Sequence, residues 1–143
     1  MDAQELEAVF RRPEDDPDVI KIFEALGITK RPKVVDNVAE IILKDRGLRL
    51  AMRPEGPKSS RLILSSLTFF SGATDNYTPF AGALPKGLVF GDNQVSARAK
   101  LGEPSDSVPE FRMDHWIFGD RRLTLKYRQA DGTIHSVIIG LPT

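Results

Sequence analysis

The chain resembles itself. Sliding it by 75 residues places Leu26-Gly27 on Leu101-Gly102, Ile42 on Ile117, Asp45-Arg46 on Asp120-Arg121, and Leu48 and Leu50 on Leu123 and Leu125. Similar residues also coincide: Ile20 meets Val95, Ile41 meets Trp116 and Met52 meets Tyr127. The matches fall where backbone geometry is demanding, at a helix end, a tight turn and one side of a strand. A repeat of this length constrains the fold strongly. One copy is too short to bury a core of its own, so two copies must share one.

Each copy reads as a helix followed by three strands. In the first, Pro17 to Leu26 carries an apolar stripe of Val19, Ile20, Phe23 and Leu26, and Gly27 suits the left-handed residue that ends a helix. Glu14, Asp15 and Asp16 precede Pro17, a helix-start pattern. The same acidic run could instead hold a metal or meet a basic partner. Residues 38–43 are β-branched and apolar. Leu48, Leu50 and Met52 then alternate with Arg49, Ala51 and Arg53, the pattern of a strand with one buried face. A third strand spans 61–70, after which the repeat drifts by about three residues because PEGPKSS is longer than QADG. The second copy has a helix capped by Asp92 or Asn93 and ended by Gly102, then strands at 112–118, 122–128 and 133–141. A short helix over 3–12 precedes the first copy, with Leu6, Val9 and Phe10 on one face. Residues 29–36 and 105–110 read as loops. The connector between the copies, rich in Gly and Pro but carrying Tyr77, Phe80, Leu84 and Leu88, predicts an ordered loop packed on the sheet.

The expected architecture is α+β and a single domain over 1–143: unit 1 at about 14–70, a connector at 71–90 and unit 2 at about 91–143. Short turns make consecutive strands antiparallel, so two tandem α-β-β-β units give an antiparallel sheet of about six strands with helices packed on one face. The other face is then available for binding.

Composition narrows the function. Twenty basic and twenty acidic residues cancel, so nothing argues for nucleic acid or an anionic membrane as the main partner. No cysteine is present, which removes disulfides, thiolate metal sites and a cysteine nucleophile. The acidic opening MDAQELEAVF has no apolar run of signal-peptide length, so a soluble, cytoplasmic protein is expected. His115 and His135, the two histidines, lack metal-ligand spacing; no serine sits in G-x-S-x-G; the glycine-rich stretches match no phosphate or dinucleotide loop. No catalytic residues, metal or cofactor are assigned.

Strand 112–118 is the centre of interest. Arg112, Asp114, Trp116 and Phe118 share one side, and Met113, His115 and Ile117 the other. Trp116 can be core or an exposed interface anchor. Lys126 and Arg128 alternate with the apolar side of their strand and are expected to face outward, as solvated charges or toward an acidic partner. The candidate partner-binding residues are Arg112, Asp114, Trp116, Lys126, Arg128 and, in the connector, Tyr77.

The stretch YTPFAGALPKGLVFGDNQVSARAKLGEP, Tyr77 to Pro104, resembles a motif of small bacterial proteins tied to polymorphic-toxin and contact-dependent competition systems, which look like immunity proteins. FRRPEDDPDVIKIFEALG is similar to the opening of the same proteins. Typical members carry Trp followed by an Arg-Tyr or similar pair, whereas Trp116 here is followed by Ile117-Phe118. The tandem helix-plus-hairpins unit is also similar to the repeat of the β-lactamase inhibitor protein and to a small lipoprotein of outer-membrane assembly. The resemblance implies a non-enzymatic immunity protein that blocks the active site of a cognate toxin or effector. The alternatives are a small-ligand-binding or scaffold domain, or an enzyme of unrecognised type. The oligomeric state is left open.

Overall fold

A computed structural model describes residues 1–72 and 76–142. Connector residues 73–75 and Thr143 lie outside the described residues. Three helices, α1 (Ala3–Glu7), α2 (Pro17–Ala25) and α3 (Gln94–Leu101), accompany eight strands: β1 (Val34–Val35), β2 (Val38–Leu43), β3 (Leu48–Pro54), β4 (Leu62–Phe70), β5 (Asp106–Val108), β6 (Met113–Phe118), β7 (Arg121–Tyr127) and β8 (Ile134–Gly140). All pairings are antiparallel, and the strands lie in the order β1-β2-β3-β4-β8-β7-β6-β5.

The α+β class and the antiparallel sheet are as expected, but the strand count is eight rather than six. Both additions are short edge strands inside the stretches read as loops, at 29–36 and 105–110. Neither is long enough to show a period of two. Pro32 precedes β1, and Pro104 and Pro109 bracket β5. Proline cannot donate to a ladder, so these edges are poor templates for another strand.

Local chemistry explains the ends of the elements. Asp16 caps α2, its carboxylate accepting from the amides of Asp18 and Val19. The rest of the acidic run also has structural partners: Glu14 binds Arg31 at 2.7 Å, and Asp15 binds Arg61 at 2.8 Å. Asn93 caps α3, accepting from the Ser96 amide at 2.9 Å. The first helix stops at Glu7, shorter than the expected 3–12, and Arg11 turns the chain with a positive φ of 67°. Residues 11–14 then run beside the start of β4, with the Arg11 amide on the Leu64 carbonyl and the Glu14 amide on the Leu62 carbonyl. They take the place of β8, which pairs only with Ser66–Phe70.

The core lies between one sheet face and the helices. Leu48, Leu50 and Met52 of β3 and Leu123, Leu125 and Tyr127 of β7 are buried there, with Leu67 and Phe69 of β4 and Val137 and Ile139 of β8. Ala3 and Leu6 of α1, Val19 of α2 and Ala97 of α3 close it from the helix side. Each half of the sheet contains one ladder slip. It falls between Ala51 and Met52 in the β3–β4 pair, and between Lys126 and Tyr127 in the β7–β8 pair.

The connector is anchored on the β2–β3 turn. Thr78 donates to the Lys44 carbonyl at 2.8 Å, and Phe80 donates to the Phe70 carbonyl at 3.0 Å while its ring packs 4.7 Å from Phe69. Gly47 makes this possible. Its φ is +61°, and a Cβ there would run into the backbone of Thr78 and Phe80. Gly47→Ala is therefore expected to lower stability by about 2 kcal/mol or more, from backbone strain and displacement of the connector. A urea midpoint unchanged by the substitution would refute the anchoring role.

Candidate partner-binding face

Strand β6 turns its Asp114–Trp116–Phe118 side toward the helices. Of the two readings of Trp116 the core one holds, and Trp116 and Asp114 are corrected as candidate partner contacts: Trp116 is 2% exposed and Asp114 has no exposure. The indole Nε1 donates to the carbonyl of Gly102, the residue that ends α3, at 3.0 Å. Trp116 thus joins helix to sheet and has no surface to offer a partner.

Asp114 is the hub of a buried polar network. Its carboxylate accepts from both Nε and Nη2 of Arg98 at 3.0 and 2.9 Å, from Ser107 Oγ at 2.7 Å, from Tyr127 Oη at 2.9 Å and from Gln94 Nε2 at 3.2 Å. Burial raises its pKa, but the bonds from Arg98, Ser107, Tyr127 and Gln94 outweigh that and hold it below the usual carboxylate range. Burial, and then the bond to Asp114, pushes the Tyr127 phenol far up. An ionised carboxylate with no exposed surface and with donors on both oxygens is a structural device. The network ties α3, β5, β6 and β7 together. Asp114 and Trp116 are therefore removed from the set of partner contacts.

The other four candidates are at the surface but not in one patch. Arg112, exposed and with a positive φ of 53°, lies in a hollow of about 320 Å³ with Gln94, Arg128 and Gln129. Arg128 also approaches Asp131 at 3.7 Å. Tyr77 stacks on Phe70, with ring centroids 3.9 Å apart and planes at 19°, under the ammonium of Lys44 at 5.8 Å. Lys126 is exposed on the sheet face away from the helices.

That open face holds the more coherent site. The register gives its cross-strand rows directly. One runs Ile42, Arg49, Thr68, Ile138, Thr124, His115; the next runs Glu40, Ala51, Ser66, Gly140, Arg122, Ile117. The middle of the second row is made of Ala51, Ser66 and Gly140, while longer side chains stand on either side. Small side chains over the central strands and long ones over the flanking strands make a trough of about 560 Å³. Gly140 keeps its floor low; a Cβ there would sit 3.0 Å from the Ser65 carbonyl oxygen.

The trough is positively charged. Arg49, Arg53 and Arg122 line it, against Glu40. Arg49 lies 3.8 Å from Glu40, but its Nε is buried without a hydrogen-bond partner. Among the described residues, no ion pair or hydrogen bond engages the side chain of Arg53 or Arg122. Aliphatic residues flank the charges, with Ile42 51% and Ile117 52% exposed. His115 lies in the wall, 7% exposed, with Nδ1 2.7 Å from Thr124 Oγ1. Burial, aided by the Arg122 charge, lowers its pKa and favours the neutral ring. Among the described residues no group of histidines and carboxylates is placed to hold a metal. Arg49 and Arg53 were legible as the polar side of an alternating strand. What the sequence could not disclose is that β4 and β8 lie between them and Arg122.

Comparison with protein-family models, with curated proteins and with solved structures gave no match to this chain. No helix among the described residues is long and apolar enough to cross a membrane.

Proposed function

We propose that the protein is a non-enzymatic binding module that works as a cytoplasmic immunity protein, neutralising a cognate bacterial toxin or effector by covering its active site. The observation that carries this reading is the sheet. One face is covered by three helices; the other is an open surface with Arg53 and Arg122, whose side chains have no partner among the described residues, and with aliphatic side chains left in water. Such a surface loses little entropy on association, and arginines beside exposed apolar groups are the composition of a protein interface. Tyr77, Arg112 and Arg128 then belong to the periphery of the contact.

A tandem origin supports the same reading. The 75-residue offset carries Ala51 onto Lys126, and the ladder slips immediately after each. It also carries β2 onto β6. Two copies set side by side give a broad face that neither copy supplies alone, which suits a lid over another protein's active site.

The test is co-expression. The toxin domain encoded beside this chain's gene should arrest growth alone and permit growth when this protein is co-produced, with the pair co-eluting from a sizing column. Growth arrest undiminished by the protein, or a neighbourhood of metabolic enzymes with no toxin gene, would count against the proposal.

A further inference from the structure

We infer that the trough on the open sheet face receives an extended, acidic segment of a protein partner, held between Arg53 of β3 and Arg122 of β7. The inference rests on the protein-binding reading and specifies its chemistry. Two strands, β4 and β8, separate β3 from β7. Three strand spacings of about 4.8 Å place the two arginine-bearing strands about 14 Å apart. That width admits one extended polypeptide over the small side chains of the floor, within reach of a guanidinium from each side. Arg49 adds a third donor, its guanidinium partly exposed and reached by Glu40 only at a long 3.8 Å. Glu40 is the one acidic residue in the lining, so the trough is cationic although the whole chain is neutral.

Two features favour polypeptide over nucleic acid. Val38, Met113 and Ile138 in the lining suit apolar side chains that alternate with carboxylates along an extended strand. The lining contains no Phe, Tyr or Trp on which a base could stack.

Fluorescence anisotropy with the full chain tests this. The probe is a labelled peptide alternating Glu with Val; the comparisons are the same peptide with Lys for Glu, a single-stranded RNA oligomer, and citrate as a competing small anion. The Glu peptide is expected to bind, to weaken with added salt and to resist citrate, while the Lys peptide and the RNA bind at least about tenfold more weakly, a difference of about 1.4 kcal/mol. Arg53→Glu combined with Arg122→Glu should weaken the Glu peptide at least about tenfold; Lys21→Glu, exposed on α2 on the opposite side of the sheet, should leave it unchanged. Both trough side chains reach solvent, and an unaltered circular dichroism spectrum verifies the fold of the double variant. No binding of the Glu peptide, equal binding by the double variant, displacement by citrate, or equal binding of Lys peptide or RNA overturns the inference. The two proposals fail separately. Toxin neutralisation that survives Arg53→Glu/Arg122→Glu sinks the trough and leaves immunity standing; peptide binding without any neutralisation does the reverse.

Discussion

Trp116→Ala is expected to destabilise the protein by about 3–5 kcal/mol, the cost of emptying a large aromatic site in a packed interior. The indole is 2% exposed and holds the carbonyl at the end of α3, so truncation leaves both a cavity and an unpaired acceptor. Ile117→Ala, on the same strand but half exposed on the other face, should cost under about 1 kcal/mol. The pair separates core from interface. Denaturant titration should show a large shift of midpoint for the first and a small one for the second. Partner binding, measured where both variants are folded, should suffer more from the second. A Trp116→Ala protein of near-native stability that selectively loses its partner would refute the core assignment.

The second large effect is expected at Asp114. Asp114→Ala should cost about 3–5 kcal/mol, because it removes the acceptor of Arg98, Ser107, Tyr127 and Gln94 at once and leaves those donors without it. The pH dependence follows from the direction of its shift. The folded pKa lies below the unfolded value, so the contribution is complete above about pH 4 and disappears as the pH falls through the folded pKa. Asp114→Asn should therefore be less stable near neutrality, and its stability should fall less steeply on acidification. An acid limb as steep as that of the parent would show that the stabilising proton equilibrium resides elsewhere.

How far the sequence carried is clearest at particular residues. The bounds 38–43 for β2 and Pro17 as the start of α2 follow from local chemistry, β-branching in one case and an Asp cap before proline in the other. Strand β6 shows the limit. Period-two alternation sorted Asp114, Trp116 and Phe118 from His115 and Ile117 correctly, but alternation has no sign. Which side meets helices is decided by α3, whose Arg98 neutralises Asp114 and whose Gln94 donates to it, from 16 and 20 residues away in the chain. An aspartate among aromatics looked like an interface because its partners were not adjacent. The trough was hidden for the same reason: Ala51, Ser66 and Gly140 share a row only because β8 lies against β4. Edge strands β1 and β5 were invisible because two or three residues carry no period.

Strand β8 comes last in chain order yet stands inside the sheet, flanked by β4 and β7. Strands β1 to β4 and β5 to β8 each pair in chain order, so both can exist as separate meanders on a nascent chain. Until the two meet, the Ser66–Phe70 part of β4 and the facing side of β8 each present an unpaired, apolar edge. Closure is thus a late, non-local event, which makes for slow folding and an aggregation-prone interval during synthesis.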